Sequence, residues 1–588
     1  MMIAQPKVVS WPTMMALTIV LTAINAVPVL GASPCANLTT LSLMDGAITS
    51  ATDITAPYST TASSGSAMIT VSAPFPFCRV TATLTPTGDS HINMEIWLPS
   101  VPNWNGKFLG VGNGALTGAI WHTSMVRPLQ NGYAVANSDL GHPISTANWA
   151  LGHPEKVIDY AYRADHVTAI AGKAIIAKYY GHAQRLSYFH GCSNGGHQAL
   201  MEAQRYPDDY DGIIAGAPWN QWTHQVIEFI SRAINLPNVP AAKLPMITNA
   251  VVAQCGAQEG GVVADGYLND PRDCHFDPRA LLCQGADSPT CLTAPQAEAV
   301  EELYEGPSNP ATHQSLFPGF ERGSEFGWVA FGAFVNNLFQ NMVYENNPTW
   351  DYHTFNFTTD VAFLDAKLTS IIDSNSPDLG AFRARGGKLL MWQGWTDTTL
   401  EPRESVNYYN SVVAVTGGGL DLDNPADDGR EDHGVRHGRR DALEDTQAFF
   451  RHFMAPGVNH CGGGLGPNSS FAYTLANTAG QNDADHDILA ALDRWVEHNV
   501  APTRLIASHF TNGVADKTRP ICAYPQIARY IGRGDPNDPS SWSCKQDWDD
   551  FNRDFTRELR NIASDVKLHD LTNLPNGGFV DLKRSDKQ

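Results

Sequence analysis

Short apolar runs separated by glycine-rich and polar turns recur along most of this chain. Ala67–Val71 and Asn93–Leu98 mix apolar and polar positions in the manner of half-buried strands. Lys107–Val111, Tyr133–Asn137, Leu186–Phe189, Gly212–Ala215, Gly387–Trp392 and Phe449–Met454 are more continuously apolar and read as core strands. Between them the spacing changes to that of helices. Tyr160–Tyr180 ends at Gly181 as its C-cap, Gln198–Arg205 follows a tight turn, and Asp485–His498 is amphipathic. Strands alternating with helices predict an α/β fold built on a mostly parallel sheet.

Two segments break the rhythm. Residues 218–385 hold four of the ten cysteines, mixed helical stretches and many Pro, Asn and aromatic residues. They read as a lid domain inserted over the carboxyl edge of the sheet, where open α/β folds bind ligands. The catalytic domain then comes in two pieces, residues 33–217 and 386–548. Gly417–Glu444 is glycine-rich and then densely charged, which predicts an exposed loop. Arg439-Arg440 within it reads either as a dibasic processing site or as two solvated arginines. Residues 549–588 form a charged C-terminal tail.

At the N-terminus, Lys7, the apolar Met14–Ile24 and the small residues around Val29–Ser33 predict a secretory signal over residues 1–32. The apolar run is too short to span a bilayer. Ten cysteines with no C-x-x-C pair favour disulfides over zinc or a redox motif, in keeping with export. Asn37, Asn356 and Asn468 open N-x-S/T sequons, glycosylation sites in a eukaryotic secretory pathway. The formal charge of −21 argues against nucleic acid and anionic membrane surfaces as partners.

The chemistry centres on Gly191-Cys192-Ser193-Asn194-Gly195. It is a G-x-S-x-G pattern between a predicted strand and a predicted helix, the context a nucleophile elbow requires. Ser193 is the candidate nucleophile, and the Asn194 N–H at the helix start is a candidate oxyanion donor. A second donor is expected in the Gly112-Asn113-Gly114 turn after an early strand, where Gly114 is the choice; a plain tight turn is the alternative. Asp397 and His460 each follow a predicted strand, and the order Ser193, Asp397, His460 is that of α/β-hydrolases. His460 would act as base and Asp397 would orient it. Cys192 adjoins the nucleophile and Cys461 the base, so a bridge between them would hold the two loops together.

These residues resemble the tannase/feruloyl esterase family. The likeness rests on Gly191-Cys192-Ser193-Asn194-Gly195-Gly196, Gly394-Trp395-Thr396-Asp397 and His460-Cys461-Gly462-Gly463-Gly464, with Tyr210–Pro218 and Arg519–Pro525 in support. It extends from about Cys35 to Cys544. The resemblance implies an α/β-hydrolase core with a lid and hydrolysis of small aromatic esters, hydroxycinnamoyl such as feruloyl, with gallate esters of tannins as the alternative. A catalytically unused binding protein on the same scaffold is the alternative of another class. The resemblance implies no cofactor for the chemistry. Trp219, Trp222 and Phe320 are candidates to stack on the acid, or else to pack the lid core. The resemblance also implies a structural calcium in the lid. Here the comparable stretch departs from the pattern: Gly256 stands in place of an Asp, Glu259 in place of another, and two extra residues precede Asp265. Glu259, Asp265 and the carbonyls of Val263 and Tyr267 are the remaining ligands, a metal-free acidic loop being the alternative. By proximity and resemblance the other bridges are Cys35–Cys78, Cys255–Cys274, Cys283–Cys291 and Cys522–Cys544.

Overall fold

The computed structural model describes residues 33–55, 58–64, 67–73, 75–143, 146–417, 433–472, 480–546 and 551. The expected export signal, residues 1–32, and the charged tail, apart from Phe551, lie outside the described residues.

A ten-stranded sheet forms the centre. Its strands are β1 (Ser42–Leu43), β2 (Gly46–Ile54), β3 (Phe77–Leu84), β4 (Ile92–Pro99), β5 (Lys107–Val111), β6 (Ala134–Ser138), β7 (Leu186–Cys192), β8 (Gly212–Gly216), β9 (Lys388–Gly394) and β10 (Phe450–Ala455). They lie in the order β1-β2-β3-β4-β6-β5-β7-β8-β9-β10. The pairs from β1 to β4, and β4 with β6, are antiparallel. All pairs from β6 through β10 are parallel, as the alternation with helices requires. These central strands are buried along almost their whole length, which accounts for their continuous apolar runs.

Helices cover both faces. Ala164–Tyr180 and Asn194–Arg205 contribute Ile175, Ile176, Ala199 and Leu200 to the core on one side. His122–Gln130 and Ile488–His498 contribute Met125, Leu129, Leu492 and Trp495 on the other. Register then places the site. Cys192 pairs with Gly216, Gly216 with Trp392, and Trp392 with Phe453, a single row across four parallel strands. Ser193, Asp397 and His460 all lie shortly beyond that row, so the topology delivers them to one sheet edge.

Between β8 and β9 the chain leaves the sheet for a helical insertion that includes Trp222–Asn235, Leu244–Cys255 and Ala294–Glu305. Part of it has its own apolar cluster, with Ile247, Val251, Leu292, Val300 and Leu303 at its centre. Trp219 stacks on Trp222 with ring centroids 4.9 Å apart, and Phe320 on Trp328 at 4.8 Å. All four are buried, so of the two readings given for Trp219, Trp222 and Phe320 the packing is that of core residues.

The expected loop over Gly417–Glu444 needs correction. Residues 418–432 lie outside the described residues, but His433–Gln447 is a helix, and Arg439-Arg440 falls within it. Over residues 440–447, Ala442, Leu443 and Thr446 are the buried positions, and they dock a helix rich in charged residues. All ten cysteines pair as expected: Cys35–Cys78, Cys192–Cys461, Cys255–Cys274, Cys283–Cys291 and Cys522–Cys544. No helix among the described residues is long and apolar enough to cross a membrane.

Candidate active site

Ser193 sits between β7 and the helix Asn194–Arg205 with φ 68° and ψ −124°. This is a backbone region that non-glycine residues rarely occupy, and holding it costs on the order of 1–3 kcal/mol. The neighbours make it sterically feasible. A Cβ on Gly191 would lie 2.1 Å from the Gly195 carbonyl oxygen, and one on Gly196 would lie 2.4 Å from that of Gly216. Backbone bonds lock the turn to the end of β8: Ser193 N–H donates to Gly216 O at 3.0 Å, and Trp219 N–H donates to Ser193 O at 3.2 Å.

Asp397 is buried and takes four hydrogen bonds. Its Oδ1 accepts the N–H groups of Thr399 at 2.8 Å and Leu400 at 3.1 Å. Its Oδ2 accepts Gln393 Nε2 at 2.8 Å and lies 2.7 Å from His460 Nδ1. A carboxylate held this way fixes the imidazole's orientation and keeps the Nδ1 proton facing it, leaving Nε2 as the acceptor. The two loops are closely joined. Thr396 N–H donates to Val458 O at 3.1 Å, Thr396 Oγ1 donates to Asn459 Oδ1 at 3.0 Å, and a Cβ on Gly394 would lie 2.1 Å from Val458 O. The His460 side chain keeps 22% of its surface open to solvent.

The Cys192–Cys461 disulfide spans a Cα–Cα distance of 5.9 Å and joins the residue before Ser193 to the residue after His460. Beside them lies the turn after β5. A Cβ on Gly112 would be 2.5 Å from Gly195 Cα, so this turn rests directly on the elbow. Asn113 is fully buried. Its side-chain amide donates to Ala119 O at 2.8 Å and Ser138 O at 2.9 Å, and its Oδ1 accepts Asn137 Nδ2 at 3.1 Å. Gly114 is buried against Trp121, whose ring a Cβ there would approach to 2.4 Å.

Several supporting residues were not anticipated. Gln393 and Asn137 are buried polar positions in largely apolar strands, and a buried polar group must find a partner; that was the available signal. Arg232, fully buried on the inserted helix Trp222–Asn235, donates to the carbonyl of Thr398 at 2.7 Å and pairs with Glu228 and Glu401. Burial and the Glu228 charge push the Glu401 carboxyl well above the usual range. The insertion is thereby tied to the residue following Asp397.

The residues expected to bind calcium do not fit that ion. Arg519 forms a two-pronged pair with the Asp265 carboxylate, with Nη2 2.9 Å from Oδ1, and Lys517 Nζ lies 3.3 Å from the same oxygen. Glu259 pairs with Arg529 at 2.5 Å. The Val263 carbonyl accepts the Gly266 N–H at 3.2 Å. Calcium needs six to eight oxygens converging on one point, whereas the two carboxylates here face separate cations supplied by the chain. Another acidic group, Cys283, Asp287 and Cys291, has both sulfurs in one disulfide and its carboxylate on Lys243. Activity and melting temperature are therefore expected to be unchanged by EDTA. Arg519→Ala, which leaves the Asp265 carboxylate without its main partner, should lower stability by about 3–5 kcal/mol in denaturant titration.

Comparison with known proteins shows the family and the fold. The profile of the family described as tannase and feruloyl esterase matches residues 78–545. A protein of Xanthomonas campestris pv. campestris described as an uncharacterized esterase is 41% identical over 544 residues, spanning 87% of this chain and 91% of that protein. A probable feruloyl esterase B-1 of Aspergillus fumigatus is 31% identical over 483 residues, spanning 80% and 85%. Among solved structures, feruloyl esterase B from Aspergillus oryzae superposes with a TM-score of 0.77 at 27% identity, over 87% of this chain and 99% of that one. Tannin acyl hydrolase from Aspergillus niger shares the fold, with a TM-score of 0.69 at 19% identity over 90% of this chain and 95% of that one.

Proposed function

Because this chain belongs to the tannase and feruloyl esterase family, we propose that it is a secreted serine carboxylic ester hydrolase that releases hydroxycinnamic acids such as ferulate from their esters. The observation that carries the reading is the Cys192–Cys461 bridge. It fastens a serine in a strained strand–helix turn to the loop of a histidine whose Nδ1 is held by a buried aspartate. Secretion is supported by the pairing of all ten cysteines, which suits an oxidising compartment.

The Ser193 Oγ proton passes to His460 Nε2 as Oγ attacks the ester carbonyl. Asp397 stabilises the resulting imidazolium. The amides of Asn194 and Gly114 hold the oxyanion, the Asn113 amide being already committed to Gln198 at 2.8 Å. Collapse breaks the ester C–O bond, and the departing alkoxide takes the proton from His460. Water, deprotonated by His460, then attacks the acyl-enzyme and frees the aromatic acid. The insertion over residues 218–385 acts as the lid that shapes the acyl pocket.

A panel of methyl ferulate, methyl caffeate and methyl gallate tests the reading. The expected kcat/KM for the ferulate exceeds that for the gallate by about tenfold or more, whereas a site built to bond three phenolic hydroxyls would reject the ferulate, which lacks two of them. The reverse order would make the protein a tannase. Failure of an organophosphonate to label Ser193 would leave only a binding protein on a hydrolase scaffold.

A further inference from the structure

Oxyanion donors carried by two different elements work only if the distance between those elements is fixed. Here the Asn194 amide moves with the helix Asn194–Arg205, and the Gly114 amide moves with the turn after β5. Steric contact sets the lower limit on their separation. Gly112 already lies against Gly195 so closely that no side chain fits between them, and a Cβ on Gly195 would sit 3.0 Å from Asn113 O. Something must also prevent the turn from drifting away from the serine.

Two buried side chains do this. Gln198, fully buried on the nucleophile's own helix, accepts the Asn113 N–H with its Oε1 at 2.8 Å. The hydroxyl of Tyr160, also fully buried, lies 2.9 Å from Asn194 Oδ1 and 3.1 Å from the carbonyl oxygen of Ala115. Its single proton serves these two acceptors in turn. One bond thus spans helix to loop on the near side of Gly114, and the other bridges them on its far side.

We infer that Gln198 and Tyr160 are positioning residues for the oxyanion site, a two-point clamp that fixes the amide of Gly114 relative to that of Asn194. The inference rests on the serine esterase reading above. Neither side chain touches the substrate. Gln198 also selects the donor: by accepting the Asn113 amide it removes that group from competition and leaves the next amide along the turn for the oxyanion.

The test uses the full-length enzyme with active sites counted by organophosphonate titration, so that a misfolded fraction does not enter kcat. Gln198→Met keeps the length of the side chain but offers no acceptor, and Tyr160→Phe removes only the hydroxyl. Each is expected to lower kcat on methyl ferulate by about 10- to 100-fold, the scale of a small misplacement of a catalytic group, with KM nearly unchanged. Affinity for an arylboronic acid, which forms a tetrahedral adduct on serine, should fall by the same factor, while affinity for ferulamide, a ground-state analogue, stays as in wild type. Gln198→Glu restores an acceptor and should recover most of kcat at pH 7. The neighbouring Asp165 carboxyl, pushed up to about 8 by burial, enters that pair still carrying its proton. Variants that keep wild-type kcat per titrated site and wild-type boronate affinity would overturn the clamp, as would equal losses of boronate and ferulamide binding. Absence of Ser193 labelling in the wild type would instead overturn the serine esterase reading, so the two failures are distinguishable.

Discussion

Ser193→Ala is expected to lower kcat on methyl ferulate by about a millionfold, and His460→Ala by a similar factor. The two residues act as one unit: without the base the hydroxyl stays protonated, and without the hydroxyl the base has nothing to activate. The double variant should therefore be hardly worse than either single one. Asp397→Asn should cost about 10⁴ in kcat, because an amide at that position presents an N–H toward His460 Nδ1 and favours the wrong tautomer. The network makes this loss specific to chemistry. The Thr399 and Leu400 amides donate to the Asp397 Oδ1 side of the group, which an asparagine oxygen can still occupy, so the loop should keep its shape. Single-turnover kinetics with circular dichroism on the same samples separates the two effects. If Ser193→Ala retained more than about a hundredth of the wild-type kcat, no arrangement of His460 and Asp397 could rescue an acyl-enzyme mechanism.

Much of this arrangement is legible in the sequence because it is local. The elbow needs its glycines within three residues of the serine, and the strands β5, β8 and β9 declare themselves by apolar runs that end in turns. Asp397 and His460 stand just past such strands, and once they converge with Ser193 the pairing of their cysteine neighbours follows. What was not legible is long-range or depends on a single buried face. Arg519 and Arg529 lie 254 and 270 residues from the carboxylates they neutralise, so nothing near Glu259 or Asp265 announces that these charges are already matched. The helix His433–Gln447 was hidden by charge density, since docking through Ala442, Leu443 and Thr446 leaves too few apolar positions for a clear helical period. Gln198 was read only as part of a helix. Its role arises from a turn 85 residues earlier that comes to rest on that helix. Tryptophans 219 and 222 show the converse ambiguity: aromatic residues beside a catalytic turn fit either a substrate platform or core packing, and burial of both stacked rings favours the second.

Removing the Cys192–Cys461 bridge by a double change to alanine should reduce both stability and kcat, for different reasons. The bridged residues are 269 apart, and closing so long a loop in the unfolded chain is associated with a stabilisation of about 5 kcal/mol. That is comparable with the whole stability of many domains, about 5–15 kcal/mol. The two bridges nested within the loop, Cys255–Cys274 and Cys283–Cys291, already restrict part of the chain, so the measured loss should fall somewhat below that figure. The catalytic effect is local. Cys461 has φ 57° and begins a run of glycines, so without the sulfur link the loop carrying His460 is held chiefly by its contacts with Thr396 and Gly394. A shift of about 1 Å between base and nucleophile is enough to lower kcat by around 100-fold. The control is the corresponding change at Cys283 and Cys291, which adjoin no triad residue along the chain and are only eight residues apart; it should alter kcat less than about twofold. Urea unfolding and kcat per titrated site, measured on both double variants, separate the contributions. A Cys192/Cys461 variant that loses stability yet keeps its turnover would show that the bridge only staples the fold, and that backbone contacts alone set the distance from Ser193 to His460.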